Sequence, residues 1–294
     1  MVKLANEDIL TREVLDWEGV HLLHFMGSSC SQKTRIFLNL KGIDWVSHHL
    51  DLTQRENNTD WFMGINPRGL VPVLVHDGDV IIESNDILEY LEETFPAQPL
   101  IPATSNEEVH QLLMMENDLH LDLRAISMRY LFDVEKAMRS DEELQNYDAK
   151  GSGTVQGVED AHKAVELQFH REVRDNNGVP DDRIIEAANR FRDAFSQMES
   201  RLETHAYLLG DNISVLDIAW FIYAARLIAC GYPLADLHEN LGRWYHALNK
   251  NPAFHIEVQL PPPLIAWRDE QHEKFLQQGT RLIDVANLDT YFID

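Results

Sequence analysis

From residue 20 to about residue 96, short apolar runs alternate with amphipathic stretches. Val20-His21-Leu22-Leu23-His24-Phe25, followed by Gly27-Ser28-Ser29, reads as a buried strand entering a loop. Ser31 to Lys41 then places Ile36, Phe37 and Leu40 at helical spacing, with Gly42 set to end the helix. Asp44 to Leu52 alternates loosely and predicts a second strand. Asn66-Pro67-Arg68-Gly69 is a turn. Val71 to Val75 is a strand with a proline near its start, and His76-Asp77-Gly78-Asp79 reads as a two-residue hairpin leading to Val80-Ile81-Ile82. Ser84 opens a helix that carries Ile87, Leu88, Leu91 and Phe95. The order β-α-β-loop-β-β-α predicts a small α/β domain of about 80 residues.

Pro96 to Pro102 is a proline-rich connector, and everything beyond it reads helical. Glu107 to Met138 is one amphipathic pattern without Gly or Pro, which predicts a single long helix. Asp141 to Asp182 is polar and punctuated by Gly151-Ser152-Gly153 and Asn176-Asn177-Gly178-Val179-Pro180, an elongated insertion or loop flanking one helix. Arg183 to His205 and Ser214 to Cys230 are helical again. In the latter, Ser214 and Asp217 have capping-box spacing, and Ile218, Phe221, Ile222, Ala225 and Ala229 form the expected buried stripe. The expected organisation is an N-terminal extension (1–19), an α/β domain (20–96), a linker (97–104) and an all-helical domain (105–294) with a polar insertion near 140–182. No internal repeat is visible.

Composition narrows the function. Of 294 residues, 49 are acidic and 25 basic, a formal charge of −24. Such a surface repels nucleic-acid phosphates and anionic lipid, so neither nucleic acid nor membrane is an expected partner. Two cysteines, Cys30 and Cys230, exclude a disulfide scaffold and a thiolate zinc site. No secretory signal and no span of ~20 apolar residues is apparent. The expectation is a soluble, cytoplasmic protein.

Ser28-Ser29-Cys30-Ser31-Gln32-Lys33-Thr34-Arg35 sits where the first strand passes into the first helix. A helix N-terminus favours an anion, and thiolate is the reactive form of sulfur. Making a thiol about a hundredfold more acidic requires about 2.7 kcal/mol. A helix end supplies only ~0.3–2 kcal/mol, so hydroxyl hydrogen bonds from Ser28 or Ser29 are needed as well. Taken alone, the residues read more readily as a small-residue turn and N-cap beside a buried, inert cysteine. With Lys33 three residues after Cys30 there is no C-x-x-C, so a resolving thiol would have to come from a small molecule. A cis Val71–Pro72 bond would turn the Val71 backbone outward to pair with an extended ligand, whereas a trans proline would simply mark an edge strand. Glu83 could meet an amino group and Ser84 with its helix end a carboxylate, or Ser84 could be only a cap.

Glu116, Asp118, His120 and Asp122 resemble metal ligands, but helical geometry puts them on two faces, so a solvated or dimer-facing surface is expected and no metal site. H-E-x-x-H and G-x-S-x-G are absent, and Gly151-Ser152-Gly153-Thr154 follows no predicted strand, so it reads as loop.

Asn66-Pro67-Arg68-Gly69-Leu70-Val71-Pro72-Val73-Leu74, then Glu83-Ser84 and Ile87-Leu88-Glu89-Tyr90-Leu91, together with the Ser214-x-x-Asp217 box, resemble the glutathione transferase superfamily. Ser28-Ser29-Cys30-Ser31 resembles its zeta class and the tetrachlorohydroquinone reductive dehalogenases. Asp60-Trp61-Phe62-Met63 through Phe95, with the polar insertion, is similar to the lignin β-etherases. The resemblance implies an N-terminal thioredoxin-like α/β domain followed by a C-terminal all-α helical bundle, and a homodimer. It further implies glutathione as co-substrate, activated as thiolate for attack on a small electrophile. In that family Ser28 or Ser29 would bond the glutathione sulfur. Cys30 would either carry a thiol-exchange step, as in reductive dehalogenation or deglutathionylation, or merely line the site. Gln32, Leu70, Val71, Pro72, Glu83 and Ser84 would bind the tripeptide. A second substrate is expected against the helix holding Met114, Met115, His120 and Tyr130. Leu70 stands where the family often has glutamine, which removes a ligand hydrogen bond. That departure and the long insertion leave an alternative: a non-catalytic binding or structural protein on the same fold.

Overall fold

The computed structural model describes residues 1–102 and 106–288. The last two residues of the expected linker and the final six of the chain lie outside the described residues. The chain divides into two compact units, residues 1–99 with 138–175, and 100–137 with 176 onward.

The first unit is built on a five-stranded sheet. Its strands are β1 (Val2–Lys3), β2 (Val20–His24), β3 (Val46–His49), β4 (Val73–His76) and β5 (Asp79–Ile82), in the order β1-β5-β4-β2-β3. Only β2 and β3 are parallel. The helices of this part are α1 (Ser29–Lys41), α2 (Asp60–Met63) and α3 (Ser84–Thr94). The central strands are apolar at consecutive positions because both faces are covered. Leu23, Val73, Val75, Val80 and Ile82 share one core with Leu4, Ile9, Val14, Phe62 and Val155. Alternation turns Leu22, Leu74 and Ile81 to the opposite face, and the buried stripes of α1 (Ile36, Phe37) and α3 (Ile87, Leu88, Leu91) complete the helical side of the unit.

The expected β-α-β-loop-β-β-α order is present. Asp77-Gly78 forms the two-residue hairpin loop, both residues at positive φ (49° and 82°). Gly78 is obligatory there, since a Cβ would lie 2.3 Å from the Leu15 carbonyl oxygen.

Three expectations about organisation need correction. Residues 1–19 are no appendage: β1 pairs with β5, and Leu4, Ile9 and Val14 fill the core under the sheet. The 140–182 stretch is not an insertion of the helical unit. Its part through Asp175 folds as helix Asp141–Asp148, a hairpin (Thr154–Val155 with Val158–Glu159) and helix His162–Asp175, all within the first unit. Leu144, Tyr147 and Leu167 form a core there with Met63. Buried Asp8 ties the hairpin to the N-terminal segment, accepting from Thr154 Oγ1 (2.6 Å), the Gly157 N–H (3.1 Å) and the Ala5 N–H (2.8 Å). The predicted long helix 107–138 is three: Asn106–Asp118, His120–Tyr130 and Val134–Ala137. At the first break the Leu119 N–H bonds the Glu116 carbonyl, a tightened turn.

The second unit is helical, around Val215–Ala229. This helix is buried on nearly all sides rather than along one stripe; Ala225 and Ala229, expected in the stripe, are half-buried, as are Arg226 and Ile228. Asp217, fully buried, accepts from the Ser214 N–H (2.8 Å) and Oγ (2.7 Å), the Leu208 N–H (3.0 Å) and Trp244 Nε1 (2.8 Å). Asp122 is also fully buried and held by Arg183 and Arg190, and Glu116 is buried as well, so this acidic group is not the solvated surface expected of it. Among the described residues no group of His, Cys, Asp and Glu could hold a metal ion, and no helix is long and apolar enough to cross a membrane.

Candidate functional site

Strand register brings three separate sequence segments to one end of the sheet. Leu23 of β2 lies opposite Val73 of β4, and Val73 lies opposite Ile82 of β5. Directly beyond that row the chain leaves β2 toward Ser28–Cys30, enters β4 from Val71–Pro72 and leaves β5 into Glu83–Ser84. The helices that start there are tied together, with Lys33 Nζ of α1 donating to Asn85 Oδ1 of α3 at 2.6 Å.

Ser28 is the N-cap of α1: its backbone is extended (φ −78°, ψ 122°) and its Oγ accepts from the Ser31 N–H at 3.3 Å. One hydroxyl proton is left to donate. Ser29 and Cys30 are the first helical residues, both half-buried; Gln32 is buried one turn on, its N–H bonded to the Ser28 carbonyl. Neither cysteine is in a disulfide. Cys230 lies in the second unit, where burial pushes its thiol up to about 12, as suits an inert core residue. Buried Arg35 holds the preceding loop, donating to the Phe25 and Met26 carbonyls (both 3.1 Å) and approaching His24 Nδ1 (3.0 Å).

The Val71–Pro72 peptide is cis. The approach to it is fixed by three consecutive carbonyls, each of which accepts a side-chain hydrogen bond: Arg68 from Tyr147 Oη (2.6 Å), Gly69 from Asn57 Nδ2 (2.8 Å) and Leu70 from Asn66 Nδ2 (2.8 Å). Val71, next in line and half-buried, makes no such bond among the described residues. It is a backbone edge held ready for an extended partner. Gly69 has φ +65°, and a Cβ would stand 2.6 Å from Met63 Sδ and 2.9 Å from Tyr147, so the turn is built around its missing side chain.

Glu83 is the N-cap of α3 at φ 68°, ψ 118°, a conformation that costs a non-glycine residue about 1–3 kcal/mol and collects at ligand sites. Ser84 is the first residue of that helix. Glu83 Oε1 accepts from Arg68 Nη1 at 2.6 Å, and the other side of that guanidinium meets Asp160 two-pronged at 2.8 and 2.9 Å. Burial works against the Arg68 charge, but Asp160 and Glu83 outweigh it and hold the pKa above its ordinary value.

The structure thus gathers Ser28, Ser29, Cys30, Val71, Pro72, Glu83 and Ser84 at one sheet end, with Gln32 and Leu70 behind them. The end offers an anion-favouring helix terminus for a thiol, a strand edge for an extended backbone, and a carboxylate next to a second helix terminus for a zwitterion. Sequence reasoning misses Arg35, Arg68, Tyr147 and Asp160. Arg68 reads only as part of a turn, and its partner is 92 residues away. Of the residues expected along the 107–138 stretch, Met114 is exposed and Tyr130 is buried, while His120 Nδ1 lies 3.2 Å from the Tyr223 hydroxyl.

Comparison with known proteins finds two family matches, the second of which begins inside the first unit. Residues 27–94 match the family described as glutathione S-transferase, N-terminal domain, and residues 162–247 the family described as glutathione S-transferase, C-terminal domain. The chain is 46% identical over 85 residues to glutathione S-transferase 1 of Dianthus caryophyllus (29% of this chain, 38% of that one). It is 48% identical over 82 residues to a zeta-class glutathione S-transferase of Euphorbia esula (28% and 36%). It therefore spans little more than a third of the length of these two relatives. Protein LigF of Sphingobium sp. is 27% identical over 242 residues, 79% of this chain and 90% of that protein. The crystal structure of that protein, titled a beta-etherase, superposes with a TM-score of 0.66 at 26% identity, covering 81% of this chain and 98% of that one.

Proposed function

Because the chain belongs to the glutathione S-transferase superfamily, we propose that the sheet end bearing Cys30, Val71 and Glu83 binds glutathione and presents its sulfur as thiolate to a small electrophile. The observation that carries this reading is the Leu23–Val73–Ile82 row. It places a helix terminus, a backbone edge and a carboxylate in the order of the tripeptide's sulfur, cysteinyl backbone and γ-glutamyl end. Val71 pairs with the cysteinyl N–H and C=O. Glu83 receives the γ-glutamyl ammonium, and Ser84 with the start of α3 receives its carboxylate. The sulfur lies at the start of α1, where Ser28 or Ser29 donates a hydroxyl hydrogen bond that favours its ionised form.

Cys30 gives the site a second mode. A substrate that has become a glutathionyl thioether can be attacked at sulfur by the Cys30 thiolate. The carbon–sulfur bond breaks, the carbon keeps the electron pair and takes a proton, and a Cys30–glutathione disulfide forms. A second glutathione thiolate then releases oxidised glutathione and restores Cys30; the substrate gains two electrons and two thiols lose them. This dehalogenase-like or ether-cleaving variant suits a cysteine half-buried at a helix start. The second thiol is buried and has its pKa raised. Two thiols outside any disulfide suit a reducing, cytoplasmic setting, and the family implies a homodimer.

Calorimetric titration with glutathione, paired with ultraviolet difference absorbance of the bound thiol, tests the reading. Saturable binding with a thiolate signal at neutral pH is expected. No binding, or binding with the thiol fully protonated, overturns the enzyme. Retention of glutathione with no turnover of any electrophile favours the non-catalytic alternative.

A further inference from the structure

We infer that the 138–175 segment is part of the ligand site, and that Asp160 is a positioning residue acting through Arg68 on Glu83. This rests on the proposed role of Glu83 toward the γ-glutamyl ammonium. Arg68 is gripped by this segment at both ends: its carbonyl accepts from Tyr147, and its guanidinium is held two-pronged by Asp160. Asp160 is itself pinned, its N–H donating to the Gly153 carbonyl at 3.0 Å. Arg68 and Asp160 are almost covered, with side chains 13% and 12% exposed, whereas Glu83 is 34% exposed. The one open member is the one at the helix end. Glu83 Oε1 is taken by Arg68, while Oε2 makes no bond among the described residues.

Charge arithmetic gives the pair its purpose. Glu83, Arg68 and Asp160 sum to one negative charge, exposed at Glu83. Without Asp160 the buried guanidinium would pair with Glu83 alone, and the site would present no net charge to an ammonium ion. Asp160 therefore leaves Arg68 able to orient Glu83 without neutralising it. A part of the chain far from residues 20–96 in sequence thereby sets ligand preference.

The test compares glutathione with its analogue lacking the α-amino group, by calorimetry on the full chain. Asp160→Asn keeps the shape and removes the charge. It should weaken glutathione about tenfold, in line with the loss of one charge-assisted interaction, and the desamino analogue less than about twofold on the same scale. Asp160→Glu should recover part of the loss. Equal weakening of both ligands, or none, overturns the inference. Should Asp160→Asn not fold, Asp160→Ser, which removes the same charge with a smaller polar side chain, decides by the same selective loss or its absence. A wild-type chain that binds neither ligand overturns the glutathione reading itself, whereas a wild-type chain that binds glutathione beside an unaffected Asp160→Asn overturns only the role of Asp160.

Discussion

Lys33 and Asn85, 52 residues apart, meet side chain to side chain at 2.6 Å, joining the N-terminal halves of the two helices that frame the site. The Lys33 side chain is buried, so its ammonium depends on protein partners for hydrogen bonds. Asn85→Ala should cost about 1.5–3 kcal/mol, the worth of a hydrogen bond made to a charged donor. A double-mutant cycle with Lys33→Met, read by urea unfolding, should show a coupling of about 1–2 kcal/mol. Additive effects would mean that the two helix starts are held by other contacts.

Gly69 is the hinge of the hydrogen-bonded loop that leads to Val71. Gly69→Ala demands a positive φ of an L residue and drives a methyl against Met63 and Tyr147. The sulfur end of Met63 can shift, but the Tyr147 ring is buried and bonded to Arg68. Destabilisation of about 1–3 kcal/mol is expected, with glutathione affinity reduced more than about tenfold as the Val71 edge turns away. Thermal melts and calorimetry of the one variant check both; unchanged affinity in a destabilised chain would detach the loop from the site.

How much of the fold and site is legible in the sequence follows from how far each signal reaches. The hairpin at Asp77-Gly78 and the helix stop at Gly42 are local chemistry, readable from neighbouring residues. The cis Val71–Pro72 bond and the start of α3 at Ser84 are legible because motif and spacing agree, although the N-cap is Glu83 and not Ser84. β1 escapes notice because a two-residue strand has no periodicity to detect; its stability comes from pairing with β5 and from the apolar residues that follow it. The Asp160–Arg68–Glu83 chain cannot be read at all. It depends on where residues 138–175 fold back, and their polar composition resembles a loop because Asp8 and Arg68 satisfy them from other parts of the unit. Asp122 misleads for the opposite reason: helical spacing shows which residues share a face, but not that Arg183 and Arg190 cover it.

Deleting residues 1–16 should prevent the first unit from folding. Leu4, Ile9 and Val14 are buried under the sheet, and burial of each is worth about 1.5–3 kcal/mol. Their sum approaches the whole stability of a typical domain, about 5–15 kcal/mol. Asp8 would be lost with them, and with it the anchor of the Thr154–Glu159 hairpin. Circular dichroism and protease resistance of the truncated chain give the answer. A native-like, protease-resistant product would show that the segment is dispensable after all.

The stability of the chain should fall as pH drops from about 6.5 to about 4, and His24 accounts for part of the fall. Burial, then the positive charge of Arg35, then His49 and His48 pull its pKa down from the ordinary 6.5 to about 4. The neutral ring fits its surroundings, with Nε2 2.8 Å from Ser47 Oγ and Nδ1 accepting from Arg35. Between the two pKa values the unfolded chain binds a proton that the folded chain refuses, so stability rises with pH through this window and is lost on acidification. The full contribution is about 3 kcal/mol, at roughly 1.4 kcal/mol for each tenfold change in proton affinity. Carboxylates titrate in the same range, so the measurement is a difference: urea unfolding of wild type and His24→Gln at about pH 7 and about pH 4.5. The wild type should lose more stability between the two pH values than the variant, by about 2–3 kcal/mol. Parallel losses would place the acid sensitivity elsewhere and leave Arg35 without a pH-dependent partner in the loop that carries Ser28.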